Sequence, residues 1–260
     1  MNLFATQTYP GPNHKVNEDA TGNLAQSGFW VVADGMGGHA AGDVASALVC
    51  ETILAERKSG VSMRDRVTSA HAAVVDIATR DVAKAGMGAT VVAVQITRDQ
   101  AEVVWVGDSR CYLWRAGSLE AVTKDHSLVQ HLLNTGKITE AEAANHPERH
   151  VITQTLGVGE PQADIVQIGL QRDDWLLLCT DGLNDVLTHA EISAVLAEAP
   201  DLEYAANRLV ELVKDAKGRD DVTVTLVHYN PQTSKPWIPV LVGVGLGLLG
   251  FAIAIWTDAI

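Results

Sequence analysis

Residues 29–38 read FWVVADGMGG, and this stretch decides much of the fold. Five apolar residues come first, and Asp34 follows them, which predicts a buried strand over 29–34. The glycine-rich turn after Asp34 leaves backbone carbonyl groups free to face a ligand. A carboxylate at the end of a rigid strand is a good platform for binding. The stretch therefore predicts both a core strand and a candidate site.

Further segments of the same kind predict more strands, and helical spacing of Ala and Val predicts helices between them. The predicted strands are 89–97, 101–109, 111–117, 174–181 and 221–229, and the predicted helices are 40–57, 62–84, 127–134, 139–145, 190–198 and 201–217. Two long helices are adjacent between groups of strands, so the order is not a strict β-α-β alternation. This order favours an α+β fold of mostly antiparallel sheets with helices packed outside.

Composition limits the class of protein. The chain has 260 residues and 47% hydrophobic content, enough for a sizeable core. Its net charge of −13 argues against nucleic acid as a partner, because phosphate backbones are bound by clustered Lys and Arg. Cys50, Cys111 and Cys179 lie in apolar runs without paired spacing, which predicts reduced core residues rather than disulfides or a zinc site.

Aspartates recur where predicted strands end or begin. Asp34, Asp108 and Asp181 each close an apolar segment, and Asp220 and Asp221 precede the last one. Any one of them could simply be a turn former. Carboxylates that converge from four separate strands, however, would repel each other unless cations lay between them. Oxygen ligands without a Cys or His cluster favour Mg²⁺ or Mn²⁺ over zinc, and two such ions can activate water and neutralise a phosphoryl group.

Eight segments resemble, in order, the motifs of the metal-dependent PPM/PP2C family of protein serine/threonine phosphatases. They are NEDA (17–20), VVADGMGGHAAGDVAS (31–46), GATVVA (88–93), VGDSRCYL (106–113), TKDHSLV (123–129), HPERHVITQTLG (146–157), LLLCTDGL (176–183) and RDDVTV (219–224). The resemblance implies a phosphatase domain over residues 1–229, with an αββα sandwich of two mostly antiparallel sheets flanked by helices. It also implies a flap beside the cleft, residues 125–156.

The resemblance further implies the activity and its residues. Phosphoserine and phosphothreonine on proteins would be hydrolysed by direct attack of a metal-bound hydroxide, without a phosphoenzyme. Two Mn²⁺ or Mg²⁺ ions are implied, with a third, weaker position. The implied catalytic residues and ligands are Asp34, which would bridge the metals, the Gly35 carbonyl, Asp181 and Asp220, with Asp108 at the third position. Glu18 and Asp19 would orient metal-bound waters.

Two departures from the family pattern concern the substrate phosphate and the last motif. The family has Arg three residues before the NED triplet; here His14 stands there, followed by Lys15. We expect His14 and Lys15 to bind the phosphate as cations, but neither reproduces the bidentate fork of a guanidinium, and His is charged only as the pH falls towards its pKa. A weakly active pseudophosphatase that binds phosphoproteins is the alternative. The last motif normally reads Asp-Asn and here reads Asp220-Asp221; the added carboxylate would either strengthen metal binding or be solvated, and we favour the second.

The C-terminal part predicts a membrane anchor. Residues 237–256 read WIPVLVGVGLGLLGFAIAIW, without a charge and with Trp at both ends. Twenty helical residues span roughly 30 Å, the thickness of the bilayer core. A buried core helix is the alternative. With 230–236 as a linker and no signal peptide at the N-terminus, we expect a single-pass membrane protein with a cytoplasmic catalytic domain. Its partners would be phosphoproteins and a Ser/Thr kinase pathway.

Overall fold

The computed structural model describes residues 2–12, 14, 16–37, 41–55, 60–144 and 146–231 of the chain. The strands in these ranges are β1 (Leu3–Tyr9), β2 (Asp19–Leu24), β3 (Phe29–Met36), β4 (Gly88–Ala89), β5 (Val91–Thr97), β6 (Gln100–Val106), β7 (Arg110–Arg115), β8 (Ser118–Ala121), β9 (Asp164–Gly169), β10 (Trp175–Cys179) and β11 (Val222–His228). The α-helices are α1 (Gly42–Ala55), α2 (Met63–Arg80), α3 (Leu128–Asn134), α4 (Glu140–Ala144), α5 (Asp181–Asn184), α6 (His189–Glu198) and α7 (Leu202–Asp215).

Two antiparallel sheets lie face to face. The first has the strand order β1-β11-β10-β7-β8, and the second has the order β2-β3-β5-β6-β9, with β4 paired to the end of β3. In β3, Trp30 and Val32 pack into the core between the sheets, whereas Val31 and Ala33 face the helices. Both faces of the strand are therefore buried, which is why its sequence is continuously apolar.

Helices cover the outer faces of both sheets. Val49 of α1 and Val74 of α2 pack in one cluster with Val91 of β5, outside the second sheet. Leu196 of α6 and Leu209 of α7 pack in another cluster outside the first sheet. The result is the four-layer αββα sandwich that the resemblance implied.

The predicted helices and central strands are confirmed within a few residues at their ends, but four strands were not predicted. These are β1, β2, β8 and β9, and they are the edge strands of the two sheets. An edge strand is only partly covered, so it needs no continuous apolar run. β2 reads DATGNL and β8 reads SLEA, and neither has the composition that marks a strand in sequence.

The three cysteines are free and buried, as predicted. The membrane prediction has no such support. In the part of the chain that the structure describes, no helix is both long and apolar enough to cross a bilayer. The apolar segment 237–256 lies outside that part, as does the linker after Pro231.

Candidate active site

The carboxylates predicted as ligands meet at one edge of the sandwich. Asp34 lies near the end of β3 and pairs in register with Asp19 of β2. Asp181 begins α5, directly after β10 and Thr180, and Asp220 precedes β11. Because β10 and β11 are antiparallel neighbours, the end of one strand and the start of the other lie at the same edge.

Asp34 and Asp181 form the centre of this group. The two carboxylates lie close enough for the charge of Asp181 to affect the ionisation of Asp34. Burial raises the pKa of Asp34 well above its ordinary value, and the negative charge of Asp181 raises it further. Burial also raises the pKa of Asp181, and Asp108 is the strongest of the charges that add to this effect. The chain has therefore placed acidic groups where each opposes the ionisation of the others.

Glycines at two positions allow the backbone to come close to these carboxylates. A Cβ atom added at Gly42 would lie 2.6 Å from Glu18 Oε2 and 2.8 Å from the carbonyl oxygen of Gly35. Glu18 and the Gly35 carbonyl therefore face the same small space. Burial raises the pKa of Glu18 as well. Oxygen donors from a side chain and from the backbone thus converge beside Asp34.

A second glycine, Gly107, forms the turn that places Asp108 at the cleft. Its backbone has a positive φ of 103°, which is strained for any other residue. The turn ends β6 three residues earlier than the sequence predicted, so Asp108 lies in the following turn. Asp108 is only 7% exposed, and burial raises its pKa to about 7. It is a buried acid whose surroundings oppose its negative charge.

The structure offers a direct test of whether these residues suit metal ions. Four buried carboxylate oxygens have no hydrogen-bond partner among the described residues: Oδ1 of Asp19, Asp43, Asp108 and Asp181. Buried acceptors are normally satisfied, so unpaired ones need an explanation. Divalent cations with oxygen preference would supply the missing partners and remove the repulsion. The donor set fits Mn²⁺ or Mg²⁺.

Asp19 has a further restraint. Its Oδ2 accepts a hydrogen bond from Thr180 Oγ1 at 2.9 Å, while its Oδ1 stays unpaired. Burial raises its pKa to about 7, and the charges of Asp221 and Asp220 add to the effect. Thr180 therefore fixes the carboxylate in one orientation, with one oxygen left for water or metal.

The last motif differs from the expectation. Asp221 was predicted to be solvated, but it is 3% exposed. It accepts hydrogen bonds from the backbone N–H groups of Gly11 (2.7 Å) and Glu18 (2.6 Å). Its Oδ1 also lies 3.0 Å from His14 Nδ1. Asp221 is therefore a structural residue that holds the loop before β2 in place.

His14 lies at the cleft, on the side of Asp220. Its Nδ1 is 3.9 Å from Asp220 Oδ1, and its side chain is 34% exposed. The hydrogen bond to Asp221 raises the pKa of His14 above its ordinary value. The imidazole is consequently more cationic than the sequence suggested. Lys15, the second residue predicted to bind phosphate, lies outside the described residues.

Sequence reasoning did not single out three other residues near the cleft. Asp43 lies in the first turn of α1, and its charge raises the pKa of Glu18. Asp185 follows Asp181 by one helical turn, and His150 of the flap lies 3.0 Å from it. An acidic residue one turn after a predicted ligand was a signal that could have been read. No local signal pointed from His150 to Asp185, because the contact is made only in the folded chain.

A cavity of about 510 Å³ adjoins the cleft beneath the flap. It lies between the flap helices and the end of α5, and Arg110, Asp125 and Arg149 are among its lining residues. Arg110 donates to both oxygens of Asp125, at 2.8 and 2.7 Å. This paired geometry fixes the base of the flap against β7.

The sandwich and its acidic edge define the chain as a metal-dependent phosphatase. The family model described as protein phosphatase 2C matches residues 12–214. The serine/threonine phosphatase stp of Listeria welshimeri is 34% identical over 228 residues, which are 82% of this chain and 90% of that protein. The chain thus belongs to the protein phosphatase 2C family and is a protein serine/threonine phosphatase.

Solved structures agree with this assignment. The crystal structure of the serine/threonine phosphatase PstP/Ppp from Mycobacterium tuberculosis has a TM-score of 0.83 and 32% identity, covering 88% of this chain and 99% of that one. The catalytic domain of PstP in complex with two manganese ions has a TM-score of 0.78 and 31% identity, covering 87% and 97%.

Proposed function

We propose that this chain hydrolyses phosphoserine and phosphothreonine on proteins at the acidic cleft, with two Mn²⁺ or Mg²⁺ ions held there. Asp34, the Gly35 carbonyl, Asp181 and Asp220 are the groups that would hold them. The observation that carries the proposal is the set of buried, unpaired carboxylate oxygens around Asp34. The two manganese ions in the PstP complex support the number of ions.

When bound, the ions supply an activated water and compensate the charge on the phosphoryl group. The residues of the chain do the rest. Asp19, held by Thr180, and Glu18, beside the Gly35 carbonyl, accept hydrogen bonds from waters and orient them. Asp34, near the end of β3, and Asp181, directly after β10, would hold the ions on rigid backbone, because both strands are packed in the core. Such pre-organisation lowers the barrier without any movement at the moment of reaction.

His14 is the residue that we propose for the substrate phosphate. Nδ1 of His14 contacts Asp221, so the other side of the ring is free to bind an anion at the partly exposed mouth of the cleft. The same contact favours the imidazolium form, so His14 supplies a cation where the family has Arg. The alternative function, a pseudophosphatase, rested on His14 standing where the family has Arg, and a cationic His14 favours it less.

The proposal is tested by the hydrolysis of a phosphothreonine peptide after chelation and after return of Mn²⁺. We expect activity only with the metal, and loss of nearly all of it in Asp34→Asn. Asp76→Asn, on the exposed side of α2, is the matched control and should remain active. Full activity in excess chelator would end the two-metal proposal.

We also propose that residues 237–256 anchor the chain in a membrane, so that it acts as a single-pass protein with a cytoplasmic catalytic domain. The direction of β11 supports an outward-facing cleft. β11 starts beside Asp220 and ends at His228, roughly 20 Å away at ~3.4 Å per residue. The chain thus leaves the domain at the end opposite the cleft. A membrane at the linker would leave the cleft open to phosphoproteins, the products of a Ser/Thr kinase.

A further inference from the structure

The first strand, β1, forms an open edge of its sheet. It pairs with β11 on one side, and no other strand of the described residues pairs with it on the other. Thr223 of β11 accepts a backbone hydrogen bond from Thr180, on the side away from β1. Because bonded and non-bonded pairs alternate in an antiparallel ladder, its partner Thr8 and also Thr6 turn their backbone N–H and C=O groups to the open edge. Within the described ranges, these groups have no backbone partner there.

β1 also lacks the features that usually keep an edge strand from pairing. Edge strands are commonly short or carry charged side chains, which oppose the approach of another strand. β8 has four residues and includes Glu120, and β2 and β9 each begin with an aspartate. β1 has seven residues, LFATQTY, and none is charged. Leu3 and Phe4 are 61% and 37% exposed, so apolar side chains accompany the free backbone groups. Of the four edge strands, β1 is therefore the most open to an added strand.

The open edge leads directly to the catalytic cleft. Tyr9, the last residue of β1, is paired with Val222, two residues after the predicted ligand Asp220. The chain then continues through Gly11 to His14, at the mouth of the cleft. A strand added outside β1 would lie two strand spacings, about 10 Å, from β11. Three extended residues span roughly 10 Å, so a peptide on this edge can reach the cleft with its next few residues.

We propose that β1 binds an extended segment of the phosphoprotein substrate as an added strand, while the phosphoresidue of that substrate lies in the cleft. The inference rests on the proposed function. In this mode of recognition, main-chain hydrogen bonds supply affinity and alternate side chains supply specificity. Antiparallel pairing is the more stable arrangement. Because β1 runs towards the cleft, an antiparallel segment runs away from it, so the segment follows the phosphoresidue in sequence.

The geometry also defines the chemistry of the segment. It begins about three residues after the phosphoserine or phosphothreonine, at the distance that the extended chain must cross. Its backbone N–H groups must be free to bond, so proline is excluded at alternate positions. Its far end meets Leu3 and Phe4, which favours apolar residues there. The segment is thus an extended, uncharged strand former.

A second copy of the chain is the alternative occupant. Two β1 strands that pair about a two-fold axis are antiparallel, so the two domains would point in opposite directions. Leu3 is paired with His228, and the proposed anchor follows β11 from that end of each domain. Two anchors on opposite sides would not enter one membrane. The substrate is therefore the occupant that suits an anchored chain.

The experiment measures steady-state hydrolysis by the full-length chain in detergent with saturating Mn²⁺. Three phosphothreonine peptides are compared: a short one, one with about six Val and Thr residues from the third position after the phosphoresidue, and one with the same residues before it. We expect the second peptide to have a KM roughly tenfold below the other two, with similar kcat, because one or two net hydrogen bonds are worth about that much.

N-methylation of the second peptide tests the backbone contact itself. Methyl groups at alternate residues remove the N–H groups that point to β1, whereas the pattern shifted by one residue removes those that point away. One pattern should raise KM to the value of the short peptide, and the other, the matched control, should leave it low. Both are measured on the native chain, so this test does not depend on the folding of a variant.

Thr6→Pro removes one N–H group from the open edge and leaves the bonds to β11 in place. In this variant the short and the second peptide should have the same KM. A preference that survives in Thr6→Pro would place the segment elsewhere, and a dimer that the substitution dissociates would make a second copy the occupant; either result overturns the proposal.

Two further outcomes separate this inference from the proposed function. Equal KM values for the three peptides, or equal effects of the two methylation patterns, would overturn the role of β1 alone, because the short peptide would still be hydrolysed. A chain that hydrolyses none of the peptides with Mn²⁺ present would overturn the proposed function as well.

Discussion

His14 Nδ1 lies 3.0 Å from Asp221 Oδ1, so the two residues that the motif resemblance marked as departures from the family pattern are in direct contact. The departures are therefore one structural unit. Asp221 is buried and bonded to two backbone N–H groups, so its charge is fixed in place. His14 gains a permanent partner, and that partner favours its protonated form. A weaker cation than Arg is thus compensated by a carboxylate behind it.

Asp221→Asn should destabilise the chain. An amide has one acceptor oxygen, so it cannot accept from both Gly11 and Glu18, and one buried N–H group would lose its partner. The expected loss is about 1–3 kcal/mol in the free energy of unfolding. Urea denaturation with chelator present measures it without interference from metal binding. Asp220→Asn is the control, because Asp220 is half exposed and should change stability little; equal losses in both variants would contradict the role given to Asp221.

His14→Arg should lower KM for a phosphopeptide and leave kcat nearly unchanged. Arg can donate two parallel hydrogen bonds to a phosphate, and a contact made equally in the ground and transition states changes KM alone. The expected gain is roughly tenfold, about 1.4 kcal/mol. Steady-state kinetics with saturating Mn²⁺ separate the two constants. An unchanged KM would place the phosphate away from His14.

Without metal, Asp108→Asn should be more stable than the native chain, increasingly so as pH rises. The folded-state pKa of Asp108 is about 7, above the value near 3.9 of an unfolded chain. Between these values the folded state binds the extra proton, so native stability falls as pH rises from 4 to 7 and levels off above. Asparagine does not titrate, and the gap should reach roughly 1–4 kcal/mol at pH 8. Urea denaturation with chelator at pH 5 and pH 8 measures it.

Added Mn²⁺ supplies the control for that experiment. An ion that binds only the folded state stabilises it, and the charge of Asp108 would then add to stability by attracting the ion. The order of stability at pH 8 should therefore reverse or the gap should close in Mn²⁺. A constant gap at both pH values, with or without the ion, would show that Asp108 does not ionise against its neighbours.

The proposed anchor predicts that the full-length chain partitions with liposomes, whereas residues 1–231 stay in the aqueous phase. Flotation on a density gradient separates the two. Because the chain leaves the domain opposite the cleft, kcat/KM for a soluble phosphopeptide should be the same for both forms. A full-length chain that stays in solution without detergent would refute the anchor, and a large loss of kcat/KM on liposomes would refute the orientation.

The sequence by itself determined the central strands and the acidic constellation. A strand such as β3 is buried on both faces, so the whole segment must be apolar, and such a run is visible without a structure. Asp34 and Asp181 could be found because each ends such a run beside glycine. The order of the eight motifs then indicated the family, and the family implied the metal ions.

Only the tertiary structure decided the rest. The edge strands β1, β2, β8 and β9 have no apolar run, because their neighbours on one side are sufficient to hold them. Asp221 reads as a surface charge in sequence, yet it is buried, because Gly11 and Glu18 supply its hydrogen bonds from more than 200 residues away. His150 reaches Asp185 by the same kind of long-range contact. Sequence patterns indicate the local structure of a segment and which of its residues are buried. The hydrogen-bond partners of a polar side chain depend on which distant segments the fold brings together.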